Sequence, residues 1–115
     1  MTETTTKQIA VSPDKKYVAI AQVYDGGATT DYAPMVYIRH NPNYKEWWYP
    51  ESETEKVFSA YHTDEIGVRW ISENELEIYC KCRADYMVGR YWGIDITHKA
   101  ISLNKALQST QKTRD

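Results

Sequence analysis

Cysteine is confined to two positions, Cys80 and Cys82, in a chain of 115 residues. A framework of several disulfides spread along the sequence, the usual device of small secreted domains, is therefore excluded. If ELEIYCKC is a strand, residues two apart point the same way, and a bridge between them would strain the short chain between; reduced thiols are the expectation. His40, His62 and His98 are scattered without zinc-site spacing, so no metal is expected. Long apolar runs are also missing. Nothing approaches the roughly 18 apolar residues of a membrane helix, and the N-terminal region holds no secretory-signal core. The reading is a cytoplasmic protein with no membrane segment, or a periplasmic or envelope one if a signal or anchor precedes this sequence.

Absences of chemistry are equally informative. The net charge is only −2, and no cluster of Lys and Arg interleaves with aromatics, which disfavours nucleic acid as a partner. No Gly-x-Ser-x-Gly elbow is present, and no glycine-rich loop leads into a helix that could hold phosphate. No catalytic residue and no cofactor is therefore assigned, and the protein is read as a non-enzyme.

What is present is a β pattern. The composition, 42% apolar and 26% charged, is that of one globular domain. Ten Tyr and four Trp stand against a single Phe, a bias toward side chains with an apolar body and a polar tip, suited to sheet faces and binding surfaces. In YVAIAQVY, Tyr17, Ala19, Ala21 and Val23 alternate with Val18, Ile20 and Tyr24, and both faces are largely apolar, as in a central strand. PMVYIRH, KVFSAYH, IGVRWIS, ELEIYCKC and YMVGRYWGIDI read as further strands. VRWIS and LEIYC, separated by ENE, form a hairpin. In the last strand Trp92, Ile94 and Ile96 share one face. The segment HKAISLNKALQSTQK has apolar residues near helical spacing and could be a terminal helix. Six or seven strands predict a mainly β chain with a single antiparallel-sheet domain over residues 9–110, built as a sandwich, partial barrel or curved meander. Residues 1–8 read as a flexible leader and 111–115 as a frayed tail.

The stretch YDGGATTDYAP crowds Asp25, Gly26, Gly27, Thr29, Thr30 and Asp31 between two strands. Gly26 and Gly27 permit positive φ, and the Thr and Asp side chains can bond backbone groups left unpaired by a turn. The expectation is a self-satisfied β corner joining an antiparallel hairpin, with Asp25 and Asp31 serving the turn rather than catalysis.

SPDKKYVA, GGATTDYA and YHTDEIGVRWISENELEI together resemble a loose group of short bacterial proteins of unknown function. That group combines a Ser-Pro-Asp-Gly-Lys-Tyr turn and strand, a Gly-Ala-Thr-Thr loop and a Val-x-Trp strand. Lys15 stands where the group has Gly, so a different turn type is expected here. Many members look membrane-anchored or lipid-anchored, which implies an envelope-associated accessory role, binding a small ligand or protein through the GGATT loop.

Charge is distributed unevenly. Residues 46–77 hold nine acids and two bases, a charge of −7, while the rest of the chain carries +5. Within that acidic stretch EWWYPESETE offers Trp47, Trp48 and Tyr49 flanked by Glu46, Glu51, Glu53 and Glu55. Aromatics anchor and fixed charges steer tight protein interfaces. These residues point to a protein-binding surface, and to an immunity or inhibitor protein whose partner, a toxin, presents a basic face.

Overall fold

The computed structural model describes residues 3–26, 31–41 and 54–112, with side chains as far as Leu107 in the terminal helix. The chain is mainly β. Among the described residues the strands are β1 (Glu3–Val11), β2 (Tyr17–Asp25), β3 (Tyr32–His40), β4 (Glu55–Ala60), β5 (Gly67–Ser72), β6 (Glu75–Tyr79), β7 (Ala84–Met87), β8 (Arg90–Tyr91) and β9 (Ile94–Lys99), followed by helix α1 (Leu103–Lys112). They form a five-stranded sheet, β1-β2-β3-β4-β7, and a four-stranded sheet, β5-β6-β9-β8.

The period-two patterns decide which faces meet. Ala19 and Ala21 of β2, Val36 and Ile38 of β3, and Val57, Phe58 and Ala60 of β4 are all fully buried. They share one core with Val68, Leu76, Ile78, Ile94 and Ile96 of the smaller sheet. Small alanines on β2 let the second sheet approach closely, and the single Phe fills the centre. β2 lies between β1 and β3, paired on both edges as expected of a central strand. β2 and β3 pair antiparallel from Tyr17–His40 to Asp25–Tyr32, and β5 and β6 form the expected hairpin.

Several expectations are corrected. One pair is not antiparallel: β6 pairs with β9 in parallel, Ile78 opposite His98. YMVGRYWGIDI is not one strand. The chain leaves β7 in the larger sheet, passes Gly89, and makes a separate β8–β9 hairpin in the smaller one. Trp92 does not share a face with Ile94; it occupies the hairpin turn with Gly93, Tyr91 pairing with Ile94 across it. The segment read as a leader is paired from Glu3 onward, because its threonines favour extended backbone and β2 offers a free edge. Helix α1 reaches Lys112, into the segment read as a tail. It begins where Ser102 Oγ accepts from Lys105 N at 3.2 Å, an N-cap.

The Ser-Pro-Asp turn is closed by Lys15 N donating to Ser12 O at 2.8 Å. Ser12, buried to 2% exposure, accepts at Oγ from Tyr17 N (3.1 Å) and donates to Asp14 Oδ1 (2.6 Å). Lys15 adopts φ 66°, the left-handed conformation natural to the Gly of the resembled pattern. Lysine has thus been fitted into a glycine conformation, held there by Asn41 Nδ2 donating to Lys15 O at 2.8 Å.

Candidate interaction surface

Four rings gather where the ends of the two sheets meet. The β2–β3 register sets Tyr17 opposite His40, with ring centroids 5.1 Å apart. Tyr91 of β8 meets Tyr17 edge-on at 6.4 Å. The Trp92 indole stands edge-on to His40 at 5.1 Å. His40 and Tyr91 are buried, whereas Trp92 is 64% exposed, the most exposed of the large apolar side chains described. Burial pushes the His40 pKa down, so the imidazole beneath Trp92 is neutral at neutral pH.

The conformation of Trp92 is the unusual feature of this corner. Trp92 and Gly93 have φ of 49° and 82°, the pair of positive values that a two-residue hairpin turn of type I′ requires. Asn or Gly normally fills the first of these positions. A bulky aromatic there costs on the order of 1 kcal/mol. The turn displays an indole outward where Asn would fold with less strain.

The described residues that flank the acidic-aromatic stretch, Asn41 and Glu55, lie near this corner. The chain leaves the described residues at Asn41, directly after His40, and returns in time for Glu55 to pair with Ile38 on β3. Glu55, two strand positions from His40, is exposed. Glu46, Trp47, Trp48, Tyr49, Glu51 and Glu53 lie outside the described residues. Glu73 and Glu75 are also exposed, whereas Glu77 is half-buried between Arg69 (3.4 Å) and Lys99 (4.0 Å).

The GGATT corner lies at the opposite end of β2 and β3. Gly27, Thr29 and Thr30 fall outside the described residues; Asp25 ends β2, Gly26 follows it and Asp31 precedes β3. One carboxylate oxygen of Asp31 accepts from Tyr32 N at 2.8 Å, and the other pairs with His62 Nδ1. The His62 hydrogen bond, then that of Tyr32, holds the Asp31 carboxyl below its usual range. His62 itself is 83% exposed, with φ 75° and its amide donating to Tyr32 O at 3.0 Å. Asp31 and His62 brace the hairpin against the chain after β4, in solvent and away from any cleft described. The described cleft, ≈ 470 Å³, lies elsewhere, between Lys7 and Gln8 of β1, Tyr79, Lys81 and the start of α1 at Ser102 and Leu103.

The cysteines depart from expectation. Cys80 and Cys82 are joined by a disulfide, their Cα atoms 5.2 Å apart, inside the ordinary range for a bridge. The reduced reading failed because the chain stops being a regular strand after Tyr79 and bends as it crosses from the smaller sheet to β7 in the larger one. The closed loop is so short that the bridge restricts the unfolded chain little, about 1.5 kcal/mol by the loop-entropy relation. His98 is brought to it by the parallel β6–β9 pairing, with Nε2 2.9 Å from Cys80 O and 4.0 Å from Cys82 Sγ. The signal in the sequence is phase: His98 continues the inward row Ile94, Ile96, and Cys80 the row Leu76, Ile78.

No protein-family model matches the chain, and comparison with curated proteins and with solved structures finds no match. The surface must be read from its own geometry. No helix among the described residues is long and apolar enough to cross a membrane.

Proposed function

We propose that this chain is a small protein-binding protein, acting by occupation of a partner rather than by catalysis, as a bacterial immunity or inhibitor protein does against a toxin. The observation that carries the reading is Trp92, held outward in a left-handed turn at a conformational cost that folding alone does not require. Indoles seated on a buried polar floor and rimmed by charge are the usual anchors of tight interfaces. The stretch from Glu46 to Glu55 adds three aromatics and four acids to the sequence between Asn41, next to His40, and Glu55, which pairs with Ile38. Its acidic charge favours a basic partner and speeds encounter with it.

The experiment is co-purification with the product of the gene beside this one, together with a growth-protection assay. A stable complex is expected, with Trp92→Gly weakening it at least about tenfold while leaving the thermal midpoint unchanged or higher. A complex indifferent to Trp92→Gly and to Trp47→Ala would sink the proposed surface. Absence of any complex or protection would sink the immunity reading itself.

A further inference from the structure

We propose that Cys80, Cys82 and His98 form a redox-gated binding site for Zn²⁺, closed when the two sulfurs are bridged and open when they are reduced.

The three candidate ligand atoms lie within 4.8 Å of one another. Tetrahedral zinc, with Zn–S near 2.3 Å and Zn–N near 2.0–2.1 Å, places neighbouring ligand atoms about 3.5–3.8 Å apart. The 4.0 Å between His98 Nε2 and Cys82 Sγ is already close to that spacing. Thiolate and imidazole are the ligand types that select zinc over magnesium or calcium. Cys80 is buried in the core at 1% exposure, while Cys82 and His98 are half-buried, so solvent reaches the site from their side. The Phe58 ring, 5.0 Å from the imidazole, shields the core side. In so enclosed a place net charge is disfavoured, and two thiolates with a neutral imidazole leave a divalent ion exactly compensated.

The gate is the disulfide itself. Bridged sulfurs carry no thiolate to bind metal. A dithiol reductant gives two electrons and two protons to the Cys80–Cys82 bond, becoming a disulfide in turn and leaving two thiols. Zn²⁺ then displaces both thiol protons to solvent. His98 Nε2, now a hydrogen-bond partner of Cys80 O, becomes the third ligand by holding its single proton on Nδ1 instead. Water takes the fourth position. Because the bridge closes so short a loop, opening it leaves the sheets in place, and because it sits at the crossover to β7, metal replaces one clamp there with another.

To test this, the full chain is reduced with dithiothreitol, desalted under nitrogen and titrated with Co²⁺ as a coloured substitute for Zn²⁺. One equivalent should bind with sulfur-to-cobalt charge-transfer absorption, and Zn²⁺ should bleach it. The oxidised protein should show none. Cys82→Ser should abolish the charge-transfer band, His98→Gln should weaken binding at least about tenfold, and His98→Cys should restore it. Circular dichroism checks that each variant is folded. Zn²⁺ should raise the thermal midpoint of the reduced protein only. No uptake by the reduced chain, equal uptake by the oxidised chain, or indifference to both Cys82→Ser and His98→Gln would overturn the proposal.

Discussion

The Gln8 carboxamide stands in for a missing strand beside Val68. Its Nε2 donates to Val68 O at 2.8 Å and its Oε1 accepts from Val68 N at 2.9 Å, the two bonds that a paired strand residue would exchange with β5. The register of β1 on β2 shifts between Thr6 and Gln8, and the bulge turns Gln8 toward the smaller sheet. Two positions on, Ala10 O accepts from Trp70 Nε1 at 2.9 Å. β1 thereby covers the edge of β5 with side-chain bonds and ties the two sheets together.

Replacing Gln8 by Ala leaves the amide and carbonyl of buried Val68 without these partners. A loss of about 1–3 kcal/mol in unfolding free energy is expected from denaturant melts. Gln8→Glu keeps the shape but sets an oxygen against Val68 O, so its loss should be at least as large. Amide exchange at Val68 should accelerate in both. A Gln8→Ala variant as stable as the parent would show that the pair is incidental.

Gly67 is where β5 passes beneath α1. A Cβ there would lie 2.9 Å from Leu103 Cβ and 3.0 Å from Leu103 Cδ2, closer than carbon atoms approach. Gly67→Ala should force the first turn of the helix away from the sheet and destabilise by about 1–3 kcal/mol. Gly67→Ala combined with Leu103→Ala, which removes Cδ2, should recover part of that loss; strict additivity would argue against the contact.

Lys15 holds a conformation that glycine adopts freely. Lys15→Gly removes a left-handed penalty of roughly 1–2 kcal/mol and gives back part of it through the greater freedom of the unfolded chain. A net gain of about 0.5 kcal/mol is expected from denaturant unfolding. A loss on this substitution would mean that the Lys15 side chain contributes more than its backbone costs.

Burial first, and then the hydrogen bond to Glu77, push the Tyr79 hydroxyl up to about 12 from 10.0. A tyrosine whose folded pKa lies above its unfolded one stabilises the fold fully below pH 10, and that contribution fades as pH rises from 10 toward 12. Ultraviolet titration should show one phenol ionising late. Tyr79→Phe should flatten the fall in stability across that window while leaving other tyrosines to titrate as before. An unchanged alkaline profile in Tyr79→Phe would contradict the assignment.

The sequence by itself determined the class of fold and most of its strands, because alternation of apolar and polar residues is a local property. Ala19, Ala21 and Val23, or Leu76, Ile78 and Cys80, point inward for the same reason in any sheet that buries one face. Turn chemistry was equally local at Ser12, Pro13 and Asp14. Tertiary structure alone decided which strands became neighbours. The parallel pairing of β6 with β9 sets His98 beside Cys80 and Cys82, 16 to 18 residues away in sequence. The split of YMVGRYWGIDI between two sheets lifts Trp92 out of the core row and onto a turn. Both depend on contacts between distant segments, and no periodicity within one segment records its partner. The exposed Trp92 and the buried His40 beneath it, which sequence reading did not single out, met only once the sheet ends came together.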